Sequence, residues 1–269
     1  MDKKYGITFQ NKISSDFDKH IEEFRTLGYT IIEDVLTDAE LKVLRSELDR
    51  VYKLQEMEFT RERLRDINEE FVARAMLCYS EDYMKLSSVQ ELMNYVQSIL
   101  GDYYILHLQN GIINMPNQPH HQNSWHRDLP YQNWISSEPM GCNLFYCLDP
   151  FTPETGSTIV LPYSHKMKTI PSDEYIEKHS VQLTAKPGSV VLFDSMVLHK
   201  AGYNSSTIIR RGVNNMYVKP ILRQQIDLPR MLDGKYSDDS FLNMLLGYDA
   251  QTASDVITFR TRRLYKTKK

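Results

Sequence analysis

The stretch KPGSVVLFDSMVLHKAGYNSSTIIRRGVNNMYV (residues 186–218) decides the fold class. Lys-Pro-Gly opens it as a turn. The run SVVLF (189–193) is rich in β-branched and aromatic residues and too short for a stable helix. After a second turn-forming segment, GVNNMYV (212–218) repeats the pattern. Working backwards, similar short runs occupy 158–161, 143–148, 112–114 and 103–109, and the turn formers of 116–119 and 149–156 separate them. Many short strands with no long helices between them predict a β-sandwich or a jelly-roll barrel and disfavour a doubly wound parallel sheet.

The first hundred residues read differently. Residues 29–35 form a short strand pattern. Thr37-Asp38-Ala39-Glu40 then makes a capping box, and Leu41, Leu44, Leu48, Val51 and Tyr52 follow on one helical face. A second amphipathic helix covers 89–100 and ends at Gly101, and 61–83 is helical in part. The expected fold is mainly β with flanking helices around a double-stranded β-helix (jelly-roll, cupin-like) core. It is read as one domain over 1–269: a helical part at 1–100, the jelly roll at 101–220, and a C-terminal helix and tail at 221–269.

Composition narrows the class. The 269 residues carry 32 basic and 35 acidic side chains, a net charge of −3, which gives no general attraction to nucleic acid or to an anionic membrane. No run approaches 18 apolar residues and the N-terminus has no apolar signal region, so neither a membrane span nor secretion is expected. Three cysteines, Cys78, Cys142 and Cys147, without CxxC spacing suggest reduced thiols in a cytoplasm. The basic tail RTRRLYKTKK (260–269) reads as a solvated terminus.

The chemistry lies in WHRD (125–128). On an extended chain the imidazole of His126 and the carboxylate of Asp128 point the same way. His199, just after the 189–193 strand, can face them if the strands fold back. Two histidines and one carboxylate match the facial triad of non-haem Fe(II) oxygenases, which leaves open positions for cosubstrate and O2. A closed structural zinc site would want a fourth protein ligand. Arg210, eleven residues after His199, suits a bidentate partner for the far carboxylate of a keto-acid cosubstrate. Arg211 must then face the other way, solvated or paired outside.

The segments HRDLPY (126–131), DPFTPETGSTIVLPYSHK (149–166), KPGSVVLFDSMVLHKAGYNSS (186–206) and RRGVNNMYV (210–218) resemble the phytanoyl-CoA dioxygenase family, with similarity over roughly residues 17–220. The resemblance implies an Fe(II)- and 2-oxoglutarate-dependent dioxygenase. Such an enzyme hydroxylates or otherwise oxidises an unactivated C–H bond of a small metabolite or biosynthetic intermediate, with O2 consumed and succinate and CO2 released. It makes His126, Asp128 and His199 the metal ligands. Arg210 becomes the cosubstrate anchor, with Thr158, Asn114 and Asn123 as further cosubstrate contacts. Ala201 stands where several relatives carry Ser. The carboxylate at 128 argues against halogenation.

Arg127, Tyr131 and Trp134 are candidate substrate contacts, and the segments 55–88 and 220–250 are expected to form a lid. His120 and His121 are read as solvated loop residues and His165 as structural. The rival readings are a cupin-like metal enzyme that does not use 2-oxoglutarate and a non-catalytic binding module on the same barrel. Oligomeric state is not legible in the sequence.

Overall fold

Gly28 and Thr37 set the entry of the chain into its sheet. In this computed structural model, which describes residue 6, residues 10–129 and residues 133–266 (the last two by backbone alone), α1 (Asp16–Leu27) ends at Gly28 with φ +90°. A Cβ at Gly28 would fall 2.5 Å from Val197 Cγ2, so both conformation and space require glycine. β1 (Tyr29–Ile32) follows. It stops short of residue 35 because Asp34 adopts φ +58°. α2 (Asp38–Phe59) has the expected capping box: the Glu40 N–H donates to Thr37 Oγ1 at 3.4 Å, and the Thr37 N–H donates to Glu40 Oε2 at 2.8 Å. Its five expected apolar residues are buried.

Residues 61–86 alternate helix and strand: α3 (Arg61–Asp66), β2 (Val72–Arg74), a 3-10 turn and α4 (Glu81–Leu86). Much of this segment, expected to form a lid, is packed against the core. Leu64, Val72, Ala73, Met76, Tyr83 and Met84 are buried, and the Tyr83 hydroxyl donates to Leu44 O at 2.6 Å. Apolar side chains of that number anchor a segment rather than free it. α5 (Gln90–Leu100) ends, as expected, at Gly101 with φ +88°.

β3 (Ile105–Asn114) is one continuous strand where two were expected. Asn110-Gly111 reads as a break in sequence. In space Gly111 lets α2 approach the sheet, since a Cβ there would lie 2.2 Å from Leu48 Cδ1. The remaining elements are β4 (Gly141–Cys147), β5 (Thr158–Val160), α6 (Asp173–His179), β6 (Val181–Gln182), β7 (Val190–Asp194), β8 (His199–Ala201) and β9 (Arg210–Val218). The last fifty residues hold α7 (Leu228–Leu232), α8 (Ser240–Leu245) and α9 (Val256–Lys266). Leu228, Leu232, Leu245 and Leu246 are buried in the main core and anchor the 220–250 segment to it at these points. The basic tail is helical as far as Lys266, and its final residues lie outside those described.

The strands form two antiparallel sheets, a jelly-roll core. The larger has the order β1-β7-β4-β9-β3-β2, and the smaller β6-β5-β8. His126 extends the smaller sheet by pairing with His199, each N–H donating to the other's carbonyl at 3.0 Å. The outer face of the large sheet carries Leu106, Leu144, Tyr146, Leu192, Val213 and Tyr217 against the helices. The inner face is apolar at one end, where Phe145, Cys147 and Val191 meet Phe151, Val160 and Leu183. Its other end is polar. No helix among the described residues is long and apolar enough to cross a membrane.

Candidate metal centre

His126, Asp128 and His199 converge at the polar end, with one potential ligand atom from each lying within 4.8 Å of the others. Asp128 Oδ1 is 3.7 Å from His126 Nε2 and 3.4 Å from His199 Nε2, and the two rings are 4.3 Å apart. Backbone pairing of residues 126 and 199 makes the imidazoles neighbours, and strand alternation brings Asp128 to the same side. His126 Nδ1 lies 2.9 Å from Ser124 O, and His199 Nδ1 lies 2.9 Å from Val197 O. A carbonyl only accepts, so each Nδ1 carries a proton and donates it. In the neutral form that binds a metal, each Nε2 then presents a lone pair to the common point.

Asp128 is held just as closely. Its Oδ2 accepts from Asn143 Nδ2 at 2.6 Å and from Asn214 Nδ2 at 3.2 Å, which leaves Oδ1 to face the imidazoles. Asn143 is fixed in turn, donating to Asn214 Oδ1 at 2.9 Å and accepting from Ser195 Oγ at 2.6 Å. Burial works to raise the Asp128 carboxyl, but the two imidazoles and the Asn214 amide outweigh it and hold the pKa at about 2. Burial lowers His126, with the neighbouring His199 adding to the effect. At His199 burial also pulls downward, but the Asp128 charge prevails and the pKa rises. Asn143, Asn214 and Ser195 were not anticipated from sequence. The only signal was polar residues inside otherwise apolar strands.

Arg210 lies in the same pocket, 1 % exposed. Its Nη2 donates to Gly156 O at 2.8 Å, its guanidinium carbon lies 4.6 Å from the centre of the Phe151 ring, and its buried Nε has no partner. No carboxylate pairs with it among the described residues, and burial pulls its pKa down to about 10. Arg211 points to the other face, where it pairs with Asp49 at 2.9 Å and Asp149 at 3.1 Å. The pocket is also lined by Thr158, Ala201, Asn214, Gln122 and Lys200.

The other candidates divide. Thr158 lines the pocket and pairs with Ala201 across β5 and β8. Asn114, opposite Arg210 in register, lies behind the pocket wall. Its Nδ2 donates to Gly156 O at 3.2 Å and Gly202 O at 3.1 Å, so it fixes the same carbonyl that anchors Arg210. Asn123 is exposed and borders a neighbouring groove with Arg65, Phe71 and His121, while Gln122 turns into the metal pocket instead.

Arg127 is buried, but its guanidinium donates to Met196 O, Ser164 O and Met167 O. Strand alternation sends it away from the side that His126 and Asp128 face. Trp134 is exposed and does not line the pocket. Tyr131 lies outside the described residues. His165 is buried beside Gly28, its Nε2 3.3 Å from Arg25 O, and is structural. His120 is not solvated as its loop position suggests: it is buried, its ring 4.5 Å from that of His121, which is exposed.

The sequence profile of the phytanoyl-CoA dioxygenase family matches residues 24–212. An uncharacterized protein of Mycobacterium tuberculosis is 33% identical over 228 residues, 81% of each chain. Peroxisomal phytanoyl-CoA dioxygenase of Homo sapiens is 21% identical over 217 residues, 70% of this chain and 64% of that one. Among solved structures, EctD from S. alaskensis with 2-oxoglutarate and 5-hydroxyectoine superposes with a TM-score of 0.64 at 22% identity, covering 79% of this chain and 78% of that one. HygX from Streptomyces hygroscopicus, with nickel, 2-oxoglutarate and hygromycin B bound, gives 0.60 at 15% identity, covering 78% and 90%.

Proposed function

This chain belongs to the phytanoyl-CoA dioxygenase family, and on that premise we propose that it is an Fe(II)- and 2-oxoglutarate-dependent dioxygenase that oxidises a C–H bond of a small metabolite or biosynthetic intermediate. The observation that carries the reading is one pocket holding both a two-imidazole, one-carboxylate donor set and a buried guanidinium without a carboxylate partner among the described residues. The donors fit Fe(II): two neutral nitrogens with free lone pairs and one hard oxygen, with positions left for a chelating keto acid. The buried Arg210 fits the far carboxylate of that acid. A metal enzyme without a keto-acid cosubstrate would leave this charge without a ligand. The bound metal, with 2-oxoglutarate and O2, supplies the oxidising power for C–H cleavage, and succinate and CO2 are released.

The chain's own residues supply orientation. Ser124 O and Val197 O fix the imidazole tautomers, and Asn143 and Asn214 hold Asp128 so that a single oxygen faces the metal position. Phe151 and Gly156 O hold the Arg210 guanidinium in place. Phe145 and Phe193 line the same pocket and limit water there. Free cysteines are in keeping with a cytoplasmic enzyme.

Anaerobic addition of Fe(II) and 2-oxoglutarate to the purified protein should produce a visible charge-transfer band. Under O2, a metabolite panel should then identify the compound that stimulates succinate formation. His199→Ala should lose the band and bind Fe(II) more weakly. A wild-type protein that forms no band and releases no succinate would sink the proposal.

A further inference from the structure

We infer that the groove beside the metal pocket, lined by His120, His121, Asn123, Gln118 and Phe71, holds the part of the oxidised substrate that lies away from the metal, and that this part is uncharged and rich in hydroxyl groups. The inference rests on the function proposed above and names a substrate class for it. Groove and pocket share a wall. His121 and Asn123 line the groove, whereas Gln122, between them in one 3-10 turn, lines the metal pocket. His120 is tied to that turn, because its Nδ1 accepts the Gln122 backbone N–H at 3.2 Å. A ligand in the groove lies against the turn that carries Gln122.

Two observations mark the groove as a binding site. His120 is 7 % exposed, and burial keeps its ring neutral, with a pKa of about 3. A neutral imidazole has one donor and one acceptor nitrogen, so the proton sits on Nε2. That Nε2 is buried and has no hydrogen-bond partner. A buried N–H without an acceptor is costly and rare, which calls for an acceptor that arrives with a ligand. Phe71 adopts φ +65°, a strained backbone for an aromatic residue, and such strain gathers at ligand sites.

The lining identifies the ligand's chemistry. Its only charged groups among the described residues are Arg65 and Glu70, and these pair with each other at 3.1 Å. A charged ligand group would shed water there without a free opposite charge to receive it. What remains is the His120 N–H, the amides of Asn123 and Gln118, and the Phe71 ring. An amide both donates and accepts, so it pairs with a hydroxyl in either direction. The ring offers an apolar face for the C–H groups of the same ligand.

The test is calorimetric. The anaerobic protein, loaded with Fe(II) and 2-oxoglutarate, is titrated with uncharged hexosides and cyclitols, and with the phosphate ester and amino analogue of each hexose as charged counterparts. At least one uncharged compound should bind, and its charged counterparts should bind roughly tenfold more weakly or worse. His120→Asn keeps an acceptor near the Nδ1 position for the Gln122 N–H and removes the far donor. It should weaken binding of that compound by roughly tenfold, with the charge-transfer band of the loaded protein unchanged. Should His120→Asn disturb the band, Asn123→Leu, at an exposed position of the groove, takes its place and should show the same loss with the band intact.

If the wild-type band forms but no uncharged compound binds, if a charged counterpart binds as tightly, or if the groove variant with an intact band binds as wild type does, the inference is overturned and the proposed function stands. A wild-type protein that forms no band overturns the proposed function and this assignment with it. The band therefore distinguishes the two failures.

Discussion

Replacing Arg210 with Met should move two free energies in opposite directions. Burial depresses the guanidinium pKa from 12.5 to about 10. At 1.36 kcal/mol per unit this is an unfavourable contribution of about 3 kcal/mol to the ligand-free fold. The folded-state value lies below the unfolded one, so the penalty is present in full below about pH 10 and fades only as pH rises towards 12.5. Against it stand the hydrogen bond to Gly156 O, worth about 1 kcal/mol, and stacking on Phe151, worth about 1 kcal/mol. Met fills much of the same volume, so the ligand-free variant should be more stable than wild type by about 1 kcal/mol. Binding should change the other way. Losing the charged partner of a buried carboxylate should cost about 3 kcal/mol or more, roughly a hundredfold in 2-oxoglutarate affinity. Urea unfolding of the metal-loaded protein, with and without 2-oxoglutarate, reads both quantities. Wild type should gain stability from the ligand and the variant should not. A variant strongly destabilised without ligand, yet still stabilised by it, would show that Arg210 is a structural charge and refute the reasoning.

Three further perturbations test other parts of the site and fold. Asn143→Leu removes the 2.6 Å donor to Asp128 Oδ2 and should weaken Fe(II) binding by roughly 10- to 100-fold in a chelator competition; unchanged affinity would mean that Asp128 needs no support from behind. Asp194, buried beneath the 194–197 turn, has its pKa raised from 3.8 to about 6, chiefly by burial. Its ionisation penalty is absent below pH 3.8 and complete above about pH 6, so Asp194→Asn, which keeps an acceptor for the Met196 N–H, should be stabilising by about 2 kcal/mol or more at pH 8 and lose that advantage at pH 4. Equal gains at both pH values in urea unfolding would contradict this. Gly28→Ala should destabilise by about 2 kcal/mol or more in thermal unfolding, since the added methyl meets Val197 and His165 at a φ of +90°; an unaltered melting temperature would show that the backbone relaxes.

What sequence could reveal followed from periodicity. Residues 126 and 128 share a face because side chains alternate along an extended chain, and the same rule sends Arg210 inward and Arg211 out to Asp49 and Asp149. The capping box at Thr37 and the glycine stop at Gly101 are local signals and held locally. The features that escaped depend on residues far apart in the chain. Asn143, Asn214 and Ser195 become a support for Asp128 only when β4, β9 and the turn after β7 come together, and nothing in AsnLeuPheTyr or AsnAsnMetTyr announces it. Gly111 reads as a strand break because the helix it admits, through Leu48, lies sixty-three positions earlier. His120 reads as solvated because its burial comes from the way its loop folds, with its ring 4.5 Å from that of His121.

The two faces of the large sheet divide stability from chemistry. On the outer face, Leu144, Tyr146, Leu192 and Tyr217 pack against helices in a continuous apolar core, and substitutions there should register as stability alone. On the inner face, Asn110 Oδ1, Asn114 Oδ1 and Arg210 Nε are buried without partners. Each such group costs about 1–3 kcal/mol in the ligand-free state. A domain stable by only 5–15 kcal/mol tolerates several of them only because the outer face supplies the surplus. A ligand that pairs with Arg210, the one of the three that lines the pocket, recovers part of that free energy, so the polar face binds best where it folds worst. The consequence is directional: apolar substitution of Arg210 should raise ligand-free stability while it lowers affinity, and no outer-face substitution should show that pairing of signs.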